Sequence, residues 1–255
     1  MCKLRPQHFK KFMELNPIPL EDGKAEPGDP YLFAKNLGID EQTLRAYKLC
    51  DKAGRHGPLT RDELRLRCDS AESDDEIRGA ILSVLAWGGM SHGNPDKFWN
   101  QTNGAKPLIS VIREMRCGGK KLDPVDAFML FHKAWAAGEL PYLRISFYTK
   151  ILFFFFPGSP GTEAPILDQF VAKSLDVLFD PEPGNPSFTG PDDFPRQSQN
   201  AQSARVGYRR YLDCLDMLRQ RPELRAKAEL TRSQIERLLF RPGAWRNYVA
   251  SSLKN

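Results

Sequence analysis

The sequence is short of the features that mark membrane, metal or disulfide proteins. Its longest apolar run, ILFFFF at 151–156, falls well below the roughly 20 residues that span a bilayer. The amino end, MCKLRPQHFKKF, is basic but has no apolar centre of the kind a secretory leader carries. No membrane role is expected. The five cysteines (Cys2, Cys50, Cys68, Cys117 and Cys214) are scattered, odd in number and form no CxxC pair. That argues against a zinc knuckle, an iron–sulfur loop and a disulfide framework alike, and the thiols read as reduced in a cytoplasmic protein. His92 lacks a second histidine or an acid at ligand spacing, so no metal is expected. Alternating strand pairs and internal repeats are also missing.

What remains is an ordinary globular composition, 41% hydrophobic and 27% charged over 255 residues. The length allows one large domain or two small lobes. A net charge of +5 permits a polyanionic partner without requiring one.

Residues 1–30 are rich in proline and charge and predict an irregular segment. Beyond them the pattern is helical. Asp40, Thr60 and Ser73 stand where N-caps belong, each ahead of acids and apolar periodicity. Further helices are expected at 106–116, 123–137, 145–156 and 165–179, then over SARVGYRRYLDCLDMLRQRP and LTRSQIERLLF. The fold class is all-α. In LDPVDAFMLFHKAWAAG, Asp123 and Pro124 open a helix and Gly138 closes it. ELPYLRI connects it to SFYTKILFFFF, and a Pro/Gly loop leads on to PILDQFVAK. Asp168 sits there between apolar residues. A buried carboxylate is costly unless it is paired or hydrogen-bonded, and a helix start would supply the amides and dipole that keep it ionised.

This order of parts resembles the helix-hairpin-helix DNA glycosylases, most closely the 8-oxoguanine glycosylase-like branch. The resemblance rests on Leu140 and Pro141, on Thr149 and Lys150, and on Asp168 in PILDQFVAK. Upstream, AILSVLAWGGMSHGN is similar to the family's helix whose following loop enters the minor groove. It implies a two-lobed helical bundle over 31–255, with the hairpin at about 123–156 and the catalytic loop and helix at 157–179. The family's hairpin is glycine-rich so that amides can approach a phosphate. Here Tyr142 and Arg144 stand near those places, with Arg144 a source of charge.

The resemblance implies a DNA N-glycosylase that flips a modified base out of the duplex and leaves an abasic site. A carboxylate beside C1′ stabilises the cationic sugar and orients or deprotonates the nucleophile, and Asp168 is the candidate. Lys150 either attacks C1′ as a neutral amine, with the phenylalanine run supplying dry surroundings, or pairs with Asp168 or a phosphate and leaves water as nucleophile. Arg144, Thr149, Met90, Ser91, His92 and Asn94 are candidate DNA contacts. In the loop after Gly89, Met90, His92 or Asn94 would fill the space left by the base. Phe147 and Trp87 are candidates for the base pocket, and most of Phe153–Phe156 for core. Arg205, Arg209, Arg210, Arg219 and Arg221 form either a phosphate-tracking face or a solvated one.

Double-stranded DNA with a modified base is the expected partner; no cofactor and no obligate protein partner are expected. A hypermodified cytosine of phage DNA, such as glucosylated hydroxymethylcytosine, is the first expectation for the base, in antiviral defence, as in some compact bacterial relatives. Oxidised guanine, with repair and AP-lyase activity, is the alternative. A non-catalytic DNA-binding module and a helical protein-interaction scaffold remain open.

Overall fold

The computed structural model describes residues 3–16, 28–50, 57–90, 93–119, 122–158, 162–180, 188, 200–226 and 228–253. In chain order the elements open with β1 (Lys3–Leu4), α1 (Pro6–Leu15), α2 (Pro30–Asn36), α3 (Glu41–Ala46), α4 (Arg61–Ser70) and α5 (Asp74–Trp87). Then come α6 (Asn94–Gln101), α7 (Lys106–Gly118), α8 (Pro124–Ala136), α9 (Ile145–Phe155) and α10 (Gln169–Leu178). The chain closes with β2 (Phe179–Asp180), α11 (Ala201–Arg219), α12 (Pro222–Arg225), α13 (Arg232–Phe240) and α14 (Ala244–Ser252). The all-α expectation holds: among the described residues the strands form one short antiparallel pair, Lys3 with Asp180 and Leu4 with Phe179. No helix described is long and apolar enough to cross a membrane.

The chain divides into two compact units, one of residues 1–23, 124–129 and 158–255, the other of 24–123 and 130–157. In the first, α10 packs on α13 and α14, and α11 on α13. Its centre is Trp245, 1% exposed. The indole Nε1–H donates to Ser174 Oγ at 3.1 Å, and that hydroxyl donates to the Leu239 carbonyl at 2.9 Å, so both side-chain polar groups of this pair are hydrogen-bonded.

The second unit is built around α5, which packs against α2, α4 and α9. Its sequence, DDEIRGAILSVLAW, buries nine of its residues. Ser73 and Glu76 form a reciprocal capping box. A hydrogen bond from Lys48, with the Ser73 and Glu72 amides, holds the Glu76 carboxyl down at about 2, so the box stays charged across ordinary pH. The four phenylalanines at 153–156 are core, as expected: none is more than 7% exposed. Arg65 ties off the end of α9, donating to the Phe153 and Phe156 carbonyls at 2.6 Å each.

The structure corrects several expectations. The first 30 residues are not irregular throughout, because Pro6–Leu15 is a helix. Its apolar residues are Phe9, Phe12, Met13 and Leu15, set among Lys10, Lys11 and Glu14; both phenylalanine rings are buried, and Phe12 meets Trp245 edge-on at 5.1 Å. Tertiary contact outweighs local composition there. The loop expected through GNPDKFW is instead α6, entered through Gly93 at φ +72° with Pro95 in the first turn, and held by buried Phe98 and Trp99. The helix after Asp40 ends at Ala46 rather than running on, and Lys48 is left-handed at φ 54°. The helix expected from 165 starts at Gln169.

Gly79 shows how closely α5 is approached. A Cβ built there would lie 1.9 Å from the Tyr47 carbonyl oxygen. In a free helix, alanine would be favoured over glycine by about 1 kcal/mol. Here the clash is with backbone and reverses the sign, so Gly79→Ala is expected to cost about 2 kcal/mol or more by urea unfolding. Wild-type stability in that variant would contradict the close approach.

Candidate active site

Asp168 is placed by its neighbours on both sides. Upstream, Ala164, Ile166 and Leu167 are each at most 3% exposed, and this apolar anchoring draws the chain inward. Downstream, Asp168 is the N-cap of α10, in extended conformation at φ −116°, ψ 174°. Its Oδ1 accepts from the Phe170 amide at 2.8 Å and the Val171 amide at 3.1 Å. No other acid stands in the first turn of α10, so the positive end of that helix acts on this carboxylate. Among the described residues Oδ2 accepts no hydrogen bond, and it is not among the fully buried oxygens that lack a partner. One oxygen is therefore held by backbone, and the other retains contact with solvent on a residue only 8% exposed. Such a carboxylate is fixed in direction and open on one side.

Lys150 lies in the second unit, half-buried on α9. Its Nζ donates to the Ser146 carbonyl at 3.2 Å and stands 5.1 Å from the centre of the Phe147 ring. The stem crosses Gly88, the C-cap of α5, where a Cβ would come within 2.9 Å of Lys150 Cδ and 3.3 Å of Phe147 Cε1. The close ring is Phe147, not the run 153–156. Of that run, Phe153 packs under Arg61 at 4.3 Å, and Phe154 meets Trp87 edge-on at 5.1 Å. Lys150, Phe147 and the Trp87–Gly88 end of α5 thus come together, with Phe147 and Trp87 both half-buried.

The other candidates separate by exposure. Arg144 is exposed at the N-cap of α9, with no side-chain cap there. Thr149 is corrected as a DNA contact: it is fully buried, its hydroxyl donating to the Ile145 carbonyl at 2.7 Å. Met90 is corrected as a space-filling wedge, since it is 5% exposed and packed in the core. Asn94 is half-buried at the start of α6. Ser91 and His92 lie outside the described residues. Four of the five C-terminal arginines have a partner within the chain. Arg205 pairs with Asp126 at 2.7 Å, Arg219 with Asp216 at 3.5 Å and Arg221 with Glu223 at 2.9 Å, while Arg210 lies over Phe188 at 4.6 Å.

Tyr142 was noted in sequence only as a departure from glycine. It occupies the left-handed region, φ 62°, and is 40% exposed. Gln101 Nε2 donates to its hydroxyl at 3.4 Å, and Lys97 Nζ stands 5.6 Å from its ring centre. The turn keeps a backbone state that suits glycine while carrying a tyrosine, which costs energy. Gly88 was legible only as a helix stop; its role beneath the Lys150 stem needed the packing of α5 on α9.

A family model described as "Putative 8-oxoguanine DNA glycosylase OGG-like protein" matches residues 37–240. Comparison with curated proteins and with solved structures gives no match.

The capping role of Asp168 is separable from its charge. Asp168→Ala is expected to lose about 1 kcal/mol of unfolding free energy, and Asp168→Asn only a few tenths, because asparagine caps as well as aspartate. Equal losses in urea titrations would contradict the hydrogen-bond assignment.

Proposed function

The chain belongs to the OGG-like 8-oxoguanine DNA glycosylase family, and on that premise we propose that it is a DNA N-glycosylase whose catalytic carboxylate is Asp168. The observation that carries this is the one-sided anchoring of that side chain, Oδ1 on two helix amides and Oδ2 open. Breaking the bond from C1′ to the base sends the electron pair out with the base and leaves a cationic sugar. A preformed carboxylate stabilises that charge without reorganising at the moment of reaction. It then orients a water, accepts its proton as the new C1′–O bond forms, and leaves an abasic site in duplex DNA.

Lys150 supports a second branch. As a neutral amine it attacks C1′ and expels the base with the electron pair of the glycosidic bond; loss of the amine proton and opening of the C1′–O4′ bond give an imine, and β-elimination of the 3′-phosphate then breaks the strand. Its half-buried stem favours such an amine by keeping water away from one side. For the base, we propose a hypermodified cytosine of the glucosylated hydroxymethyl kind found in phage DNA, which would make the protein an antiviral factor. The altered hairpin around Tyr142 and Arg144 supports a substrate unlike that of a standard repair enzyme. The description of the matching family favours oxidised guanine as the second reading.

The test is a panel of duplexes carrying glucosylated hydroxymethylcytosine, 8-oxoguanine or an alkylated base, each read with and without alkali. The expected result is alkali-dependent breaks on one of them. Asp168→Asn should bind that duplex as wild type does while releasing base about 100-fold more slowly or worse. No abasic product on any duplex would reject the enzymatic reading and leave a DNA-binding module.

Breaks without alkali, together with an adduct trapped by borohydride, are expected to vanish in Lys150→Gln. They should weaken strongly in Gly88→Ala, where the added methyl displaces the lysine stem. Persistence of the adduct in Lys150→Gln would exclude this amine.

A further inference from the structure

The segment 162–167, just upstream of Asp168, belongs to no helix or strand, so regular secondary structure does not satisfy its peptide groups. Buried carbonyls in such a stretch need donors. They come from one face of α11, where Tyr208 and Tyr211 stand three residues apart and so point the same way. Tyr208 donates its hydroxyl to the Pro165 carbonyl at 3.2 Å, and Tyr211 donates to the Ile166 carbonyl at 2.7 Å.

Both phenols are fully buried, and their rings lie 5.6 Å apart. Tyr208 is stacked flat on Phe128, with centroids 4.1 Å apart and planes at 5°. Burial pushes its hydroxyl above the ordinary phenol range, which keeps it a proton donor at neutral pH. The helix carrying the pair is fixed in turn. Asn200 caps its start, and Arg232 of α13 grips Asp216 with two nitrogens, at 2.9 and 2.5 Å.

We propose that Tyr208 and Tyr211 are positioning residues for Asp168, a phenol pair that fixes two consecutive carbonyls and so sets the direction of Oδ2. The chain is then held on both sides of the reacting group: two hydroxyls upstream and the α10 amides downstream. Neither tyrosine touches the substrate. Satisfying two buried carbonyls would by itself stabilise the fold, so stability alone cannot distinguish positioning from packing. This inference rests on Asp168 being the catalytic carboxylate.

The experiment compares Tyr211→Phe and Tyr208→Phe with Tyr248→Phe, a control that removes a hydroxyl bonded to His8 Nδ1 at 2.7 Å elsewhere in the same unit. The first readout, amide hydrogen exchange at Phe170 and Val171, needs no substrate. Loss of either clamp bond is expected to speed it by about tenfold, the equivalent of one hydrogen bond, while the control leaves it unchanged. The second readout is single-turnover base release from whichever duplex of the panel wild type processes. A fall of about tenfold or more is expected, with duplex Kd within about twofold of wild type.

Wild-type exchange and wild-type release in both tyrosine variants would overturn the proposal. So would losses equal to those of Tyr248→Phe. If Asp168→Asn still releases base, the catalytic assignment fails even where the exchange result holds. If Asp168→Asn is dead and the tyrosine variants match wild type, only the clamp fails.

Discussion

A carboxylate resting on the first amides of a helix is the interaction on which the rest depends. Asp168 is a nearly buried carboxyl group surrounded by apolar chain, a combination that is unfavourable unless hydrogen bonds replace the lost water. The Phe170 and Val171 amides do this for one oxygen, and the partial charge of α10 adds to it. Because a single oxygen carries both bonds, the other is free for chemistry.

The surrounding architecture makes that arrangement rigid. In the first unit, α10 is locked by Ser174 between the Leu239 carbonyl and the Trp245 indole, so the amides under Asp168 do not drift. In the second, close packing of α5 on its neighbours gives Lys150 a defined course across Gly88. The phenylalanine run that follows Lys150 contributes mainly to this core. Asp168 thus opens α10 in the first unit, and Lys150 lies within α9 in the second.

Local signals were legible in the sequence. Asp40, Thr60, Ser73 and Asp168 were all read as caps or helix starts, and each accepts from amides of the helix it opens, because capping involves residues within a few positions of each other. Signals that depend on distant partners were not legible. The helix α1 needs Trp245 to hide Phe12, and α6 is held by the distant contacts that bury Phe98 and Trp99. Thr149 and Met90 were chosen for chemistry their type permits, yet exposure decides whether such a group reaches a ligand, and both are buried. Tyr208 and Tyr211 lie more than 40 residues from the carbonyls they hold, a separation that periodicity cannot bridge.

The most direct measurement of the central claim is a structure of Asp168→Asn stalled on a duplex carrying the base that wild type removes. The expected result is an extruded nucleotide with its C1′ about 3–3.5 Å from the side-chain atom in the Oδ2 position, while Oδ1 still accepts from Phe170 and Val171. An extruded sugar lying against other residues, with position 168 remote from C1′, would contradict it.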